Sequence, residues 1–142
     1  FRQRHPNGKV LERPFSRHDA YEQTPYPGYD GNSRPWGFYR GPMPDTVSPM
    51  ARVVTVDDRA WALKLVRDRG RIETEDDLII TWSPGQASAL DEAVIAESRD
   101  VGNVVVQRRT DDGLEDVPYG VDFAFAWKAF NPDREPVARL EE

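Results

Sequence analysis

The chain has 142 residues, a formal net charge of −6, 38% hydrophobic residues and no cysteine. The lack of cysteine excludes a disulfide framework, a thiolate zinc site and a thiol nucleophile within these residues. No apolar run approaches the ~20 residues of a membrane-spanning helix, so we expect no membrane insertion by this chain. Its acidic charge argues against nucleic acid as a partner, because such binding depends on neutralising phosphates.

The first 50 residues differ in composition from the rest of the chain. They contain most of the prolines of the chain and, in addition, repeated aromatic residues. The first 17 residues include five Lys and Arg residues and a single acidic residue, Glu12. Because disordered segments are poor in aromatic residues, we predict an extended strap that its rings fix to a folded body. We expect the basic arm before it to lie on an acidic surface of this protein or of a partner.

A hairpin and a short helix are predicted after the strap. Residues 52–56 have the β-branched composition of a strand. Asp57-Asp58 predicts a tight turn into a second strand at 59–63. Helical spacing covers 63–69, and Gly70 follows where a helix-ending glycine is favoured.

Four carboxylates come next, on Glu73, Glu75, Asp76 and Asp77. Such a cluster suggests calcium, which takes oxygen ligands. It lacks the spacing of a dedicated calcium loop, and acidic runs are more often solvated turns. We therefore predict no metal site and no cofactor.

The most apolar run, LIITW at 78–82, predicts a central strand. Pro84-Gly85 ends it, because proline cannot donate to a strand ladder. The residues beyond are ambiguous. Ser83 and Gln86 match a helix N-cap and its capping-box partner, which favours a helix over 87–97.

Two further strands are predicted towards the C-terminus. Residues 104–109 are β-branched and lie between turns at 99–103 and 111–113. Residues 121–127 alternate large and small side chains, the period of a strand. We predict that these strands and 78–82 share one sheet.

Together the elements predict an α+β fold that is mainly β. It has a mixed or antiparallel sheet, one short helix and a Pro- and Tyr-rich extended N-terminal strap. We divide the chain into an arm and strap at 1–50, a β-rich domain at 51–135 and a charged tail at 136–142. Trp82 and Trp127 are predicted to be buried.

Two function classes fit this pattern. The chain has only two histidines, His5 and His18, and no nucleophile, base and acid within one stretch, so we favour a non-catalytic structural or protein-interaction domain. The alternative is a small-ligand-binding or enzymatic domain with a pocket around the turn at 82–86. The residues that would line this pocket are Tyr26, Asp30, Trp82, Ser83, Gln86 and Asp91. In the competing interpretation, Ser83 and Gln86 only stabilise a turn, and Trp82 is an aromatic residue of the core.

An ordered series of motifs carries a resemblance to a known family. The motifs are PYPGYD at 25–30, ARVV at 51–54, WSPGQASALD at 82–91, RDVG at 99–102 and FAFAW at 123–127. The series resembles the bacterial and archaeal family catalogued as domain of unknown function 3179.

The resemblance implies an exported, β-rich protein made of two related halves, with no established activity. It implies a periplasmic or extracellular location and a strand, instead of a helix, at 86–91. The chain resembles the C-terminal half. The first half typically carries a Cys-Pro-Leu-Cys motif, and Ser83 and Gln86 stand here in place of its thiols, so a redox site would belong to the other half. The expected partner is the N-terminal half of the same protein or another protein subunit.

The start of the chain also has the character of a repeat boundary. FRQRHPN at 1–7 is similar to WKAFNPD at 127–133 in its aromatic start, basic second residue and proline. The sequence begins without methionine. We therefore expect the first ~17 residues to complete a preceding repeat.

Overall fold

Two antiparallel sheets and two short helices form the part of the chain that the computed structural model describes, residues 3–9 and 22–140. The elements are β1 (Arg52–Val56), β2 (Arg59–Ala62), α1 (Leu63–Arg69), β3 (Arg71–Glu73), β4 (Leu78–Ser83), β5 (Asn103–Thr110), β6 (Gly113–Asp116), β7 (Gly120–Phe123) and α2 (Ala124–Phe130). One sheet has the order β2-β1-β7 and the other β3-β4-β5-β6. The predicted α+β, mainly β class is confirmed, with α2 as a helix that the sequence did not predict.

The predicted hairpin and helix after the strap are confirmed. β1 pairs with β2, and Asp57 takes the positive φ of 51° in the turn between them. Aspartate visits this conformation because its short side chain can bond locally. The chain then enters α1 directly. Gly70, with a φ of 70°, ends this helix and donates its N–H to the carbonyl of Val66 at 2.8 Å.

β4 is the central strand that its apolar sequence predicted. Leu78, Ile79 and Ile80 are almost fully buried. β4 pairs with β3 on one edge and with β5 on the other, so neither edge is open. β5 turns at 111–112 into β6. The strand predicted after β4 and the turn that ends it are therefore also confirmed.

The prediction of a strand over 121–127 is wrong in its second half and in its partner. β7 stops at Phe123 and pairs with β1, so it does not join the sheet of β4 and β5. Residues from Ala124 onward form α2. Ala124 and Trp127 are both buried, and a spacing of three places them on one helical face. The alternation of Phe and Ala is therefore compatible with a helix as well as with a strand, and the high helix propensity of alanine favours the helix.

The segment between β4 and β5 forms neither the strand predicted at 86–91 nor the helix favoured over 87–97. Its regular structure consists of two isolated bridges, between Ala87 and Asp100 and between Val94 and Gln23, and a 3-10 turn at Ile95–Glu97. The small residues after β4 therefore belong to a loop that folds back on its own end.

The carboxylate of Asp100 explains this loop. It accepts the backbone N–H of Gly85 at 2.8 Å and that of Gln86 at 3.0 Å. The N–H of Val101 donates in turn to the carbonyl of Gln86 at 2.8 Å. A helix that began at Ser83 would need these first amides for its own cap. They are bonded across the loop instead, so the capping pattern does not start a helix.

The first sheet lies between two apolar layers. Val53 packs with Ala124 and Trp127 on the side of α2, whereas Val54 faces the larger cluster shared with α1 and the second sheet. Trp127 is 5% exposed, which confirms its predicted burial. The corresponding prediction for Trp82 is wrong in part, because this side chain packs at the edge of the larger cluster and is partly exposed.

Residues near the C-terminus pair with the first sheet. The N–H of Val137 donates to the carbonyl of Ala60 at 2.8 Å, and the N–H of Ala62 donates to the carbonyl of Val137 at 2.9 Å. This pairing runs parallel to β2 at Trp61. The segment after α2 is thereby anchored next to β2.

Several predictions concern residues outside the described part. These residues include Phe1 and Arg2, at the start of the segment similar to 127–133, and most of the basic arm, with His18. Within the ranges 3–9 and 22–140, no helix has the length and apolar character that crossing a bilayer requires.

Candidate functional site

The predicted site residues lie in three places, and Arg99 and Asp100 link two of them. Tyr26 belongs to an aromatic surface of the strap, and Asp30 and Asp91 both bond to Arg99. The others are at the end of β4, where Asp100 bonds to the loop.

Asp30 is the buried centre of the first network. It lies in a 3-10 turn, and its side chain is 2% exposed. Oδ2 accepts a hydrogen bond from Ser88 Oγ at 2.6 Å and pairs with Arg99 Nη2 at 2.9 Å. Oδ1 is buried and has no hydrogen-bond partner among the described residues. We call Asp30, Ser88 and Arg99 the Asp30 network.

Backbone bonds hold the strap against the loop at the same place. The N–H of Gly28 donates to the carbonyl of Asp91 at 2.5 Å. Gly28 has a φ of 72°, which glycine adopts without strain. The carboxylate of Asp91 accepts the N–H of Arg99 at 3.0 Å. The strap, the Asp91 region and the Arg99 region are therefore one connected unit.

Arg52, the first residue of β1, lies close to this network. Its guanidinium stacks over the ring of Phe123 with 3.9 Å between the guanidinium carbon and the ring centre. Burial lowers the pKa of Arg52, the nearby Asp30 and Asp122 oppose that shift, and the charge of Arg99 adds to it. Within the described part of the chain, the Arg52 side chain makes no ion pair and no hydrogen bond.

At the end of β4, Trp82 supports the turn before β5. Its Nε1 donates to the carbonyl of Val101 at 3.0 Å, and its indole lies against Gly102, which has a φ of 73°. Ser83 and Gln86 are exposed. Ser83 pairs through the β4–β5 ladder, and Gln86 bonds through its backbone.

Asp100 connects that turn to the loop. It accepts the N–H of Gly102 at 2.7 Å as well as those of Gly85 and Gln86. Backbone N–H groups, first those of Gly85 and Gln86, lower the pKa of the Asp100 carboxyl. The Asp100 carboxylate is thus bound by backbone N–H groups of its own loop.

A cleft of about 560 Å³ opens between the end of the strap, α1 and the Arg99 region. Its lining combines apolar side chains with several charges, and comprises Thr46, Val47, Ser48, Ala51, Arg52, Ala62, Leu63, Lys64, Leu65, Arg67, Asp68, Arg99, Asp100, Val101 and Ala138. Of the predicted site residues, none is in this lining.

Four strap rings form the aromatic surface, which we call the ring cluster: Tyr26, Tyr29, Trp36 and Phe38. Trp36 meets each of the other three edge to face, at centroid distances of 5.1 to 5.9 Å. Tyr26 is 50% exposed, Trp36 46% and Phe38 78%. With Leu90 the four rings line a shallow cavity of about 280 Å³.

Sequence reasoning missed three charged or polar residues of this region. Ser88 and Arg99 lie inside motifs on which the family resemblance rests, and that position was the available signal. Arg52 lies in the ARVV motif of the same series, but an arginine at the start of a strand is ordinary and did not suggest a site. Their convergence depends on the backbone path of the strap and the loop.

The motifs of the resemblance contribute the residues of this region. PYPGYD supplies Asp30, QASALD supplies Ser88, RDVG supplies Arg99, and FAFAW begins with Phe123 beneath Arg52. A family model described as "Protein of unknown function (DUF3179)" matches residues 1–134. The chain belongs to the DUF3179 family. A search of curated proteins and a search of solved structures each found no match.

Three carboxylates of the acidic cluster of this DUF3179 chain, those of Glu73, Asp76 and Asp77, pair with arginines. Asp76 forms two hydrogen bonds with Arg59, at 2.9 and 2.7 Å, and Glu73 pairs with Arg71 at 2.6 Å and with Arg109 at 2.9 Å. In the described part of the chain, no group of three or more His, Cys, Asp or Glu side chains is placed to hold a metal ion.

Proposed function

We propose that this DUF3179 chain is a non-catalytic protein-interaction domain that binds its partner through the ring cluster. The observation that carries the proposal is the exposure of the rings of Tyr26, Trp36 and Phe38 on one continuous surface. Contiguous exposed apolar surface marks interaction sites, and Tyr and Trp are enriched among residues that dominate binding energy.

The ring cluster is also held in place before any partner arrives. Tyr29 packs edge to face on Phe123 of β7 with 5.5 Å between ring centres. The next residue, Asp30, anchors the strap through the ion pair that its buried carboxylate forms with Arg99. Rings that are already ordered lose less conformational entropy on binding, which favours affinity.

The partner we propose is the N-terminal half of the same protein, with another protein subunit as the second option. The resemblance to a family of two-half proteins supports the first. The position of the ring cluster supports it too, because the strap precedes the β-rich domain and lies nearest in sequence to a preceding half.

The test expresses the proposed partner apart from this chain. The N-terminal half that the proposal expects to be encoded before Phe1 is co-expressed with the present chain as a separate polypeptide, with a tag on the present chain. We expect them to elute together. Trp36→Ala and Phe38→Ala should weaken the complex at least tenfold, about 1.4 kcal/mol each.

Phe130→Ala is the matched control. Phe130 is 87% exposed on α2 and is not part of the ring cluster. If all three alanine variants retain the complex equally, or if no polypeptide precedes this chain in its gene, the proposed partner is wrong.

The alternative of a ligand pocket at residues 82–86 has less support. Ser83 and Gln86 are exposed, and the backbone N–H groups of Gly85 and Gln86 in the turn already donate to Asp100. A bound ligand there would have to compete with hydrogen bonds already made.

A periplasmic or extracellular location is part of the same proposal and rests on the family resemblance. A fusion of the complete gene product to a phosphatase that is active only outside the cytoplasm tests it. We expect phosphatase activity in intact cells; an inactive fusion that is present at normal amounts contradicts export.

A further inference from the structure

The cleft beside α1 has an excess of positive charge that the interaction proposal does not use. Four cationic side chains line it, Arg52, Lys64, Arg67 and Arg99, against two carboxylates, Asp68 and Asp100. Asp30, which pairs with Arg99, and Asp122, which lies near Arg52, are outside the lining and offset part of this charge.

The two carboxylates of the cleft are already engaged. Asp68 forms ion pairs with Lys64 and with Arg67, which come from the same helix. Asp100 accepts three backbone N–H groups of its own loop. No carboxylate of the lining is therefore free to pair with Arg52, and the nearby Asp30 and Asp122 act on it without an ion pair or a hydrogen bond.

Among the described residues, Arg52 is the one cation of this cleft without an ion pair. One face of its half-buried guanidinium covers the Phe123 ring, and in the described residues its N–H groups donate to no acceptor. Burial of a charged group without a hydrogen-bonded partner is unfavourable. A planar guanidinium presents its donors along its edges, in a geometry that matches the two oxygens of a carboxylate or phosphate.

Arg99 supplies a second guanidinium at the same wall. Its Nη2 pairs with the buried carboxylate of Asp30, which fixes the direction of the side chain. The Arg99 side chain is nevertheless about half exposed, so its remaining donors can reach a ligand in the cleft. Two guanidiniums, one held by a ring and one by a carboxylate, thus border the same space.

The rest of the lining is apolar, with Leu63 from α1 and Val101 from the loop. At about 560 Å³ the cleft is within the usual ~300–1,000 Å³ range of small-molecule sites. We propose that it binds a small organic acid, with a carboxylate or phosphate group on Arg52 and Arg99 and an apolar part against Leu63 and Val101.

The test compares ligands that differ in the head group and share one apolar chain: octanoate, octyl phosphate, 1-octanol and octylammonium. Isothermal titration with the full 142-residue chain measures each dissociation constant. We expect at least one anion to bind with a dissociation constant below about 1 mM, and the alcohol and the cation at least tenfold more weakly. The tighter of the two anions identifies the preferred head group.

Arg52→Gln should weaken binding of that anion at least tenfold, while Arg71→Gln, which removes an exposed arginine of β3 outside the cleft, should change it less than twofold. Far-UV circular dichroism establishes that each variant is folded. If R52Q does not fold, R52K replaces it, because it keeps the charge and removes the planar fork. Equal affinity for octanoate, octyl phosphate and octanol, no anion binding at about 10 mM, or unchanged affinity in the folded Arg52 variant overturns the proposal.

Discussion

Gly102→Ala should be among the most destabilising single-methyl additions to this protein. Gly102 has a φ of 73°, and a Cβ built there would meet Cε2, Nε1 and Cζ2 of Trp82, the last at 2.5 Å. These atoms are in the body of the indole, so a change at the tip of a flexible side chain cannot relieve the contact. The indole would have to move, and its hydrogen bond to Val101 would be strained or lost.

The expected magnitude has two parts. An L-residue in the left-handed region costs about 1–2 kcal/mol. Overpacking of a close-fitting site costs about another 1–3 kcal/mol, including the disturbed indole. Gly102→Ala should therefore lower the free energy of unfolding by about 2–5 kcal/mol.

Two other glycines separate these parts. Gly28 and Gly70 have φ values of 72° and 70°, and a Cβ at either position meets no heavy atom within 4 Å. Gly28→Ala should show the backbone part alone, and Gly70→Ala should give an upper limit for it, because the ψ of Gly70, −34°, lies outside the left-handed region. Urea unfolding followed by circular dichroism gives the three midpoints. If Gly102→Ala is no more destabilising than both controls, the contact with Trp82 does not constrain the turn.

A double-mutant cycle makes the assignment specific to the indole. In a Trp82→Leu background the same glycine substitution should lose its packing penalty and keep its backbone penalty. The coupling energy between positions 82 and 102 should be about 1–3 kcal/mol. Additive effects of the two substitutions would show that the cost arises in the backbone.

Two further predictions concern the acid range and the tryptophans. Hydrogen bonds from Arg59, and then from Thr74, hold the pKa of Asp76 well below its usual range. The ionised Asp76 therefore contributes its full stabilisation of the fold above the ordinary aspartate pKa of ~3.9, and this contribution is lost as the pH falls below that value. Because the Arg59–Asp76 pair is exposed, Asp76→Asn should lower the free energy of unfolding at pH 7 by at most about 1 kcal/mol. The urea midpoints of variant and parent should converge in acid. A difference between these midpoints that stays constant down to pH ~2 would contradict this. Trp127→Ala should cost about 3–5 kcal/mol and Trp82→Ala less, since only the former is fully buried; the reverse order of urea midpoints would contradict it.

Local sequence signals predicted the elements whose neighbours in space are also neighbours in sequence. The hairpin of β1 and β2, the helix that Gly70 ends and the apolar run of β4 each depend on a few adjacent residues. β-branched composition, a turn pair and a helix-ending glycine are sufficient there, because little from elsewhere in the chain competes with them.

The two failures occurred where distant residues compete with local preference. The helix signal after β4 lost to Asp100, which is far along the chain and takes the amides that a helix start would use. The strand period at 123–127 lost to helical packing of Ala124 and Trp127 on Val53. A period of two and a spacing of three coexist in F-A-F-A-W, so the sequence alone could not decide between them.

The candidate site was predictable only in part, because local motifs indicate its residues but not the contacts between them. Asp30, Asp91 and Gln86 were chosen from their motifs, and each proves to bond with Arg99 or Asp100. What could not be predicted is that one dipeptide connects them, since this depends on a loop that closes on itself and on a strap that crosses it.

This connectivity also decides which residue can test the ligand proposal. Arg99 holds the strap through Asp30 and borders the cleft, so its replacement would change the strap and the ligand site together. Arg52 also borders the cleft, but in the described residues it bonds to no strap residue and contacts Phe123 through its guanidinium face. Loss of binding in a folded Arg52 variant therefore reports on the charge of the cleft, and intact partner binding in the same variant would separate the two proposed functions.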